Sequence, residues 1–421
     1  MPFTENSSPE SLKEVSVWIV DVLRRKLCNE DGLLIQGIAD GKIISNLIID
    51  DFGDVAPFIS IYGGEDICLR HLKYISEHYK DLGFTKAFAY TDLILGLVWY
   101  SRIGKYKAES LDLAIKLAGE VEKNWMNKNG QIFSLSVGGF KLPLTYGIDS
   151  TFIEIWTELY RETKDKKYSE LAEKTFKYFS SIQAVSKEKV IPARYSSSNL
   201  FLPIKLLKKE LFIEIHVMKD NTNYLFGLLD MIRMDICVGE VRRSFDEVFS
   251  TLSAYAKKNK LNNYLTPDDS SALLSSFAFI DLACDAIMLF KDELYLKSAV
   301  NLADNWLSLP SNKTGLFPRY FNSNQSYFDS ETDMAVAFLK LYECTNEEKY
   351  LLKAKELLFG ILNYHKTEAG FFLCVDLDTG IMTVDSIKTK FVALFIKLLH
   401  LCSEPGKIYK DPILFMLAKD R

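Results

Sequence analysis

Apolar periodicity divides the chain into two kinds of helix that alternate from one end to the other. One set is apolar around its whole circumference: Asp51 to Tyr62, Phe88 to Ile103, Ser150 to Glu162, Asn223 to Met234, Ser270 to Phe290, Thr332 to Tyr342 and Ser386 to Leu401. The other carries Lys and Glu along one face: Ser11 to Leu27, Glu65 to Asp81, Tyr106 to Trp125, Tyr168 to Ser181, Val241 to Lys258, Leu294 to Leu307 and Lys349 to Tyr364. A helix without a polar face has to be enclosed, whereas an amphipathic one can stand between core and water. The alternation therefore predicts an all-α (α/α) toroid, two concentric rings in which the first amphipathic helix pairs with the last apolar one. The count gives seven hairpins, with six hairpins plus an extra pair as the alternative. Residues 1–421 read as a single domain, with residues 1–10 as a flexible N-terminal segment.

A repeated pattern supports the hairpins. Tyr-x-x-Thr-x-x-x-Lys-Tyr-x-x-x-Ala runs from Tyr160 through Thr163, Lys167 and Tyr168 to Ala172, and again from Tyr342 through Thr345, Lys349 and Tyr350 to Ala354. A weaker copy ends Tyr295-Leu296-Lys297-Ser298-Ala299. Each joins the end of an apolar helix to the start of an amphipathic one, the mark of units that bury their apolar faces by stacking on neighbours. Connections in that direction are short, as at Gly63-Gly64, Gly104-Lys105 and Thr163 to Lys167. In the other direction they are long and rich in Gly, Ser, Asn and aromatics: Asn129 to Asp149, Val185 to Thr222, Ser311 to Phe328 and Thr367 to Asp385. Long ordered loops are usually functional, so one rim is plain and the opposite rim should carry any site.

Composition narrows the classes. A chain that is 48% hydrophobic and 25% charged has the make-up of a soluble globular protein with a large core. Its net charge of -5 argues against nucleic-acid binding, and basic runs such as Lys205 to Lys209 read as solvated helix faces. The seven cysteines are scattered with no C-x-x-C pair, as in a reducing compartment, and read as small buried hydrophobes rather than metal ligands. Met1 to Glu10 is polar and acidic, unlike a signal peptide, and no uninterrupted apolar run reaches the roughly 20 residues of a membrane span. A cytoplasmic protein without membrane insertion is expected. With no G-x-G-x-x-G, Walker or C-x-x-C-H motif, neither cofactor nor metal is expected. Oligomeric state is not written in the sequence.

The elaborate rim has repeats of its own. Arg194-Tyr195, followed by Ser198-Asn199, resembles Arg319-Tyr320, followed by Ser323-Asn324, and a proline (Pro192, Pro318) precedes each. Asp149-Ser150, Asp269-Ser270, Asp329-Ser330 and Asp385-Ser386 each precede an apolar helix. Such pairs are ordinary N-caps, and capping would also set carboxylates at the mouth of the ring.

With its paired units at Tyr160 to Ala172 and Tyr342 to Ala354, the chain resembles the six-hairpin glycosidase superfamily. These are (α/α) toroids that include glycoside hydrolases, unsaturated glucuronyl hydrolases and sugar 2-epimerases. The resemblance covers most of the chain as architecture, and seven hairpins would depart from the commonest members. It implies a small-molecule or oligosaccharide substrate held at the long-loop rim, with aromatic rings stacked on sugar faces. Glycoside hydrolysis needs a carboxylic acid and a second carboxylate about 5 to 9.5 Å apart. Asp149 with Asp333 is the leading pair, and Glu331, which aligns with Asp149 in the repeat, is an equal alternative. Substrate contacts are expected from Tyr146, Arg194, Tyr195, Arg319 and Tyr320, and from Asp54, Asp92, Asp269 and Asp385. The two arginines would suit an anionic group on a sugar. Trp99, Trp156 and Phe317 are further candidate rings, although packing explains the two tryptophans inside helices.

Other chemistries leave weaker marks. Histidine-based epimerisation has a thin supply: His71 and His78 fall on an outer helix, His216 and His365 in or near loops, and His400 near an inner helix's far end. Asp50-Asp51-Phe52-Gly53-Asp54 matches the Asp-Asp-x-x-Asp of Mg²⁺-dependent prenyl-diphosphate enzymes, but Gly53 disfavours a continuous helix there and no second metal motif follows. A non-catalytic carbohydrate-binding or scaffold toroid is the third class. Hydrolysis by rim carboxylates acting as general acid and base is the leading expectation.

Overall fold

The computed structural model describes residues 9–196, 217–265 and 270–419. In chain order the first hairpins comprise α1 (Pro9–Lys26), β1 (Ile35–Ala39), β2 (Lys42–Leu47), α2 (Phe52–Ile61), α3 (Glu65–His78), α4 (Ala89–Ile103) and α5 (Lys107–Trp125). There follow β3 (Ser136–Val137), β4 (Phe140–Lys141), β5 (Leu144–Tyr146), a 3-10 turn over Gly147–Thr151, α6 (Phe152–Thr163), α7 (Lys166–Val185), β6 (Arg194–Ser196), α8 (Val217–Arg233) and α9 (Val238–Lys257). The last part holds α10 (Leu273–Phe290), α11 (Glu293–Leu307), β7 (Gln325–Tyr327), α12 (Phe328–Thr345), α13 (Glu348–Tyr364), β8 (Lys366–Thr367) and β9 (Gly370–Phe371). It closes with β10 (Cys374–Asp376), β11 (Met382–Val384), β12 (Ser386–Lys388), α14 (Thr389–Ser403) and α15 (Pro412–Leu417).

The even-numbered helices α2 to α14 form a closed inner ring, each packed on the next and α14 on α2. Each odd-numbered helix from α3 to α13 lies outside its preceding partner, and α1 covers α14, as the alternation predicts. Among the described residues there are seven hairpins. By length and composition α10 could cross a membrane, but 72% of it is buried as ring wall.

The repeat builds the plain rim. Thr163 and Thr345 each donate to a carbonyl one turn back (Leu159, 2.7 Å; Leu341, 2.8 Å) and accept an N–H beyond the turn (Asp165 and Glu347, both 3.1 Å). Between them Lys164 (φ 58°) and Asn346 (φ 57°) take the left-handed conformation that ends a helix. Tyr168 and Tyr350 then stack on Trp156 (6.3 Å) and Phe338 (5.9 Å) of the preceding inner helix.

Some helix starts differ from the sequence reading. α8 is already helical at Val217, six residues before Asn223, and within it the buried Asn221 side chain clamps the N–H and carbonyl of Ile191 at 2.8 Å each. α14 begins at Thr389, because Ser386–Lys388 is taken up by a strand that pairs with β1 and joins the first and last rim loops. The long rim is therefore not wholly irregular but carries small antiparallel sheets.

The ring is filled from its plain end by the last segment. Glu343 accepts the N–H groups of Ile408 (2.8 Å) and Tyr409 (3.1 Å), and the Tyr409 hydroxyl donates to Asp285 (2.9 Å). Lys419 reaches Asp230 at 2.7 Å and Glu154 at 3.1 Å, and Arg161, Arg233 and Arg102 complete the set around Asp230, Glu158 and Glu162. Lys340, fully buried, pairs with Asp281 and with Asp285 (3.0 Å). The volume shared by α4, α6, α8, α10 and α12 is the ring's axis, so this ionic cluster is its floor. Removing one partner from a buried pair leaves an uncompensated charge, which typically costs about 3 to 5 kcal/mol. Lys340→Met should accordingly lower unfolding stability by roughly that amount in urea titration, and a loss within ~0.5 kcal/mol would contradict a paired, buried floor.

Candidate functional site

At the opposite end the inner helices begin, and α2 and α4 meet there backbone to backbone. A Cβ on Gly53 would lie 2.0 Å from the Asp92 carbonyl, and one on Gly96 would lie 1.9 Å from that of Gly53. Helix α2 starts only at Phe52, so Asp50 and Asp51 precede it and the acidic motif does not lie on one continuous helix, as Gly53 suggested; Gly53 itself, in the first turn, marks the close crossing. The crossing brings Asp51, Asp54 and Asp92 together, with carboxylate oxygens within 4.8 Å of one another. Such a spacing suits a cation, and the ammonium of Lys390 at the start of α14 is one: Nζ lies 2.8, 2.5 and 3.1 Å from the three acids. The Mg²⁺ reading of Asp50 to Asp54 thus meets a lysine in the position a metal would need. Burial and the neighbouring Asp51 charge raise Asp50 above the usual carboxylate range.

Two cavities open beside this cluster, and both are lined by Lys390 and Phe391. The larger, about 650 Å³, lies between the β1–β2 ribbon and the starts of α4 and α14, with Gln36, Asn46, Asp51, Phe88 and Asp92 on its walls. The smaller, about 150 Å³, lies among the starts of α8, α10, α12 and α14 and is lined by Lys219, Phe277, Asp329 and Asp333. Asp333 is bonded to Lys397 of α14 at 2.6 Å. One turn earlier Asp329 keeps Oδ1 shielded from solvent without a hydrogen-bond partner among the described residues. Burial, with help from the Asp333 charge, pushes the Asp329 carboxyl up to about 6.

The structure brings only part of the expected set to these cavities. Asp92 lines the larger and Asp333 the smaller, and buried Asp54 reaches them only through its pairing with Lys390, whereas Asp149 and Glu331 line neither. Asp149 lies fully buried in the 3-10 turn before α6, accepting from the Ser134 hydroxyl and from the Tyr146 N–H (3.2 Å). Glu331 does the same for its own loop, taking the Phe317 N–H at 2.8 Å and the Ser326 hydroxyl at 2.9 Å. The two correspond as the repeat implied, but as clamps that tie a rim loop to an inner helix. Asp220 is buried near Asp149, and that neighbour adds to the burial that raises it well above the ordinary range.

Arg194 and Tyr146 face each other across the β5–β6 ladder, with Thr145 opposite Tyr195. Arg319 lies over the Tyr327 ring at 4.3 Å, and Tyr320 lines a separate cleft. Asp385 is exposed in the turn before β12, and the Asp-Ser pair there caps no helix. Asp269, His216 and Ser198-Asn199 lie outside the described residues. Trp99, Trp156 and Phe317 are buried packing residues. His71 and His365 are buried, and burial lowers each to about 4; among the described residues no histidine lines either cavity.

Sequence reading missed Lys390, Lys397, Lys219 and Asp329 as site residues. A signal was present, since Lys390 and Lys397 stand two turns apart in an otherwise apolar, enclosed helix and must there face acids. A second unread signal was structural: Asn127 and Asn312 each open an Asn-Lys-x-Gly turn and accept N–H groups two to four residues on.

No protein-family model and no curated protein matches the chain. Among solved structures it is similar to an α-1,2-mannosidase from Trichoderma reesei, at 12% identity over 92% of this chain and 93% of that one, with a TM-score of 0.66. It is also similar to cellobiose 2-epimerase from Bacillus thermoamylovorans B4167 (13%, 93% and 99%, TM-score 0.58) and to a D-mannose isomerase (12%, 94% and 99%, TM-score 0.57). At these identities the likeness is one of fold. The chain has the same (α/α)-toroid fold as these solved structures.

The clamps make a pH signature. Burial raises Asp149 to about 7 and Glu331 to about 8. Both hold protons in the folded chain at pH values where the unfolded chain has released them, so their contribution is complete below about pH 4 and is lost as pH rises through the folded values. The buried histidines act oppositely, but only below about 6.5. The melting temperature should therefore fall between about pH 6.5 and 8.5, and Glu331→Gln, which keeps both acceptor contacts, should flatten the fall. A wild-type profile flat over that range would contradict the clamp assignment.

Proposed function

We propose that the mouth of the toroid binds a carbohydrate and acts on its glycosidic bond through carboxylates of α12. Asp329 is the general acid in this reading, and Asp333 is the partner carboxylate. The observation that carries it is their position: one helical turn apart, on one face, lining a cavity that Lys390 and Phe391 share with the larger one. Residues four apart on a helix have Cβ atoms about 5 to 6 Å apart, within the range in which paired carboxyls work on glycosides. A carboxyl raised to about 6 keeps its proton in mildly acidic solution, as an acid for the leaving oxygen must. Phe391, Phe88 and Phe277 offer ring faces, while Gln36, Asn46 and Lys390 offer donors suited to hydroxyl groups.

The reading also draws on the similar solved structures, which are enzymes of mannosides, cellobiose and mannose. It favours hydrolysis over epimerisation because carboxylates, not histidines, line the described cavities. Turnover on a panel of aryl glycosides and oligosaccharides tests it. Asp329→Asn and Asp333→Asn should each lower kcat by ~10²- to 10⁴-fold. The wild-type rate should decline as pH rises through about 6, where Asp329 loses its proton. Unchanged turnover in both variants would overturn the assignment.

A further inference from the structure

Away from the acidic mouth, the same rim carries a cleft of about 320 Å³ lined by Asn262, Asn263, Tyr264, Ser270 and Tyr320. Its two rings come from neighbouring loops, one leading into α10 and one into α12. Both are open to solvent: Tyr264 is 53% exposed and Tyr320 36%. Large aromatic side chains are normally covered, so a pair exposed around one small cleft calls for a reason.

Each ring is held out by a fixed backbone. Asn263 anchors the first loop, its carbonyl accepting the Met218 N–H (3.1 Å) and its Oδ1 the Ser275 hydroxyl (3.0 Å). Asn262 Oδ1 takes the Tyr264 N–H at 3.1 Å, and Leu265 next to it sits at φ 53°. A bulky residue in the left-handed region is strained, and it persists only where the surroundings over-determine it. The second loop is fixed by the Leu273 N–H donating to the Arg319 carbonyl (2.9 Å) and by a bridge between Ala272 and Tyr320.

We propose that this cleft is a second, non-catalytic subsite for a sugar unit, so that the ligand is an oligosaccharide chain and not a monosaccharide. The inference rests on the carbohydrate reading of the mouth and names its substrate class. Aromatic faces take the apolar faces of pyranose rings, and side-chain amides and a hydroxyl supply donors and acceptors for sugar hydroxyls. The lining is of amides, a hydroxyl and rings, which separates the cleft from the mouth with its acids and lysine. The cleft lies on the loops that lead into α10 and α12, the two helices that carry Phe277, Asp329 and Asp333.

Affinity electrophoresis of the full-length protein through gels containing α-mannan, β-glucan, xylan or amylose tests this without requiring turnover. At least one polysaccharide should retard the wild type. Tyr264→Ala and Tyr320→Ala should each weaken that retention roughly tenfold, while Tyr264→Phe preserves it and the melting temperature is unchanged. Turnover of short aryl glycosides should be the same in all four proteins. Retention indifferent to both alanine substitutions, or no retention by any polysaccharide, would overturn the proposal. Ring-dependent retention without aryl-glycoside turnover would sink the catalytic reading and leave the subsite standing, so the two failures are distinguishable.

Discussion

Seven helices with almost no polar face impose one requirement on this chain: every side of each must be covered by protein. A ring meets it, since each inner helix has two inner neighbours, an outer partner and the axis. Closure is then a necessity, because an open arc would leave α2 and α14 each with one bare apolar face. The chain meets that need twice, by packing α14 on α2 and by wrapping its first helix around its last hairpin. The β1–β12 ladder ties the same seam at the long-loop rim.

An enclosed axis cannot hold charge unless each charge finds an opposite, and this rule shapes both ends. At the floor, Lys340, Lys419 and three arginines are matched with acids from α6, α8 and α10. At the mouth the same logic places Lys390 among three carboxylates and Lys397 on Asp333. The difference between the ends is access: the last segment of the chain fills the floor, whereas two cavities keep the mouth open. The glycine crossing of α2 and α4 sets the acids close enough to share one ammonium, so a backbone contact determines the electrostatics of the site.

Much of this architecture is legible from periodicity. Helix type and first-to-last closure follow from which residues are apolar, because removing apolar surface from water is the strongest force acting on the chain, and seven hairpins is one of the two counts that the pattern allowed. The direction in which a given carboxylate points at the rim does not follow. Asp149 and Glu331 stand at the starts of inner helices, just as Asp333 and Asp92 do, yet the first two are buried against hydroxyl and amide donors of their loops. Those donors, Ser134 and Ser326 among them, are fixed by loop paths that a pattern of apolar residues does not specify. The lysines of α14 were the better guide, since a charge inside an all-apolar helix has few places to go.

The central claim is that the open end of a closed seven-hairpin ring is a carbohydrate site. Soaking crystals of the protein with a library of mono- and oligosaccharides tests it most directly, because the position of bound sugar is read without assuming a reaction. The account predicts a sugar ring against Phe391, within hydrogen-bond reach of Lys390 and of Asp329 or Asp333. A library that leaves the mouth empty, or a sugar bound at the short-loop end instead, would contradict it.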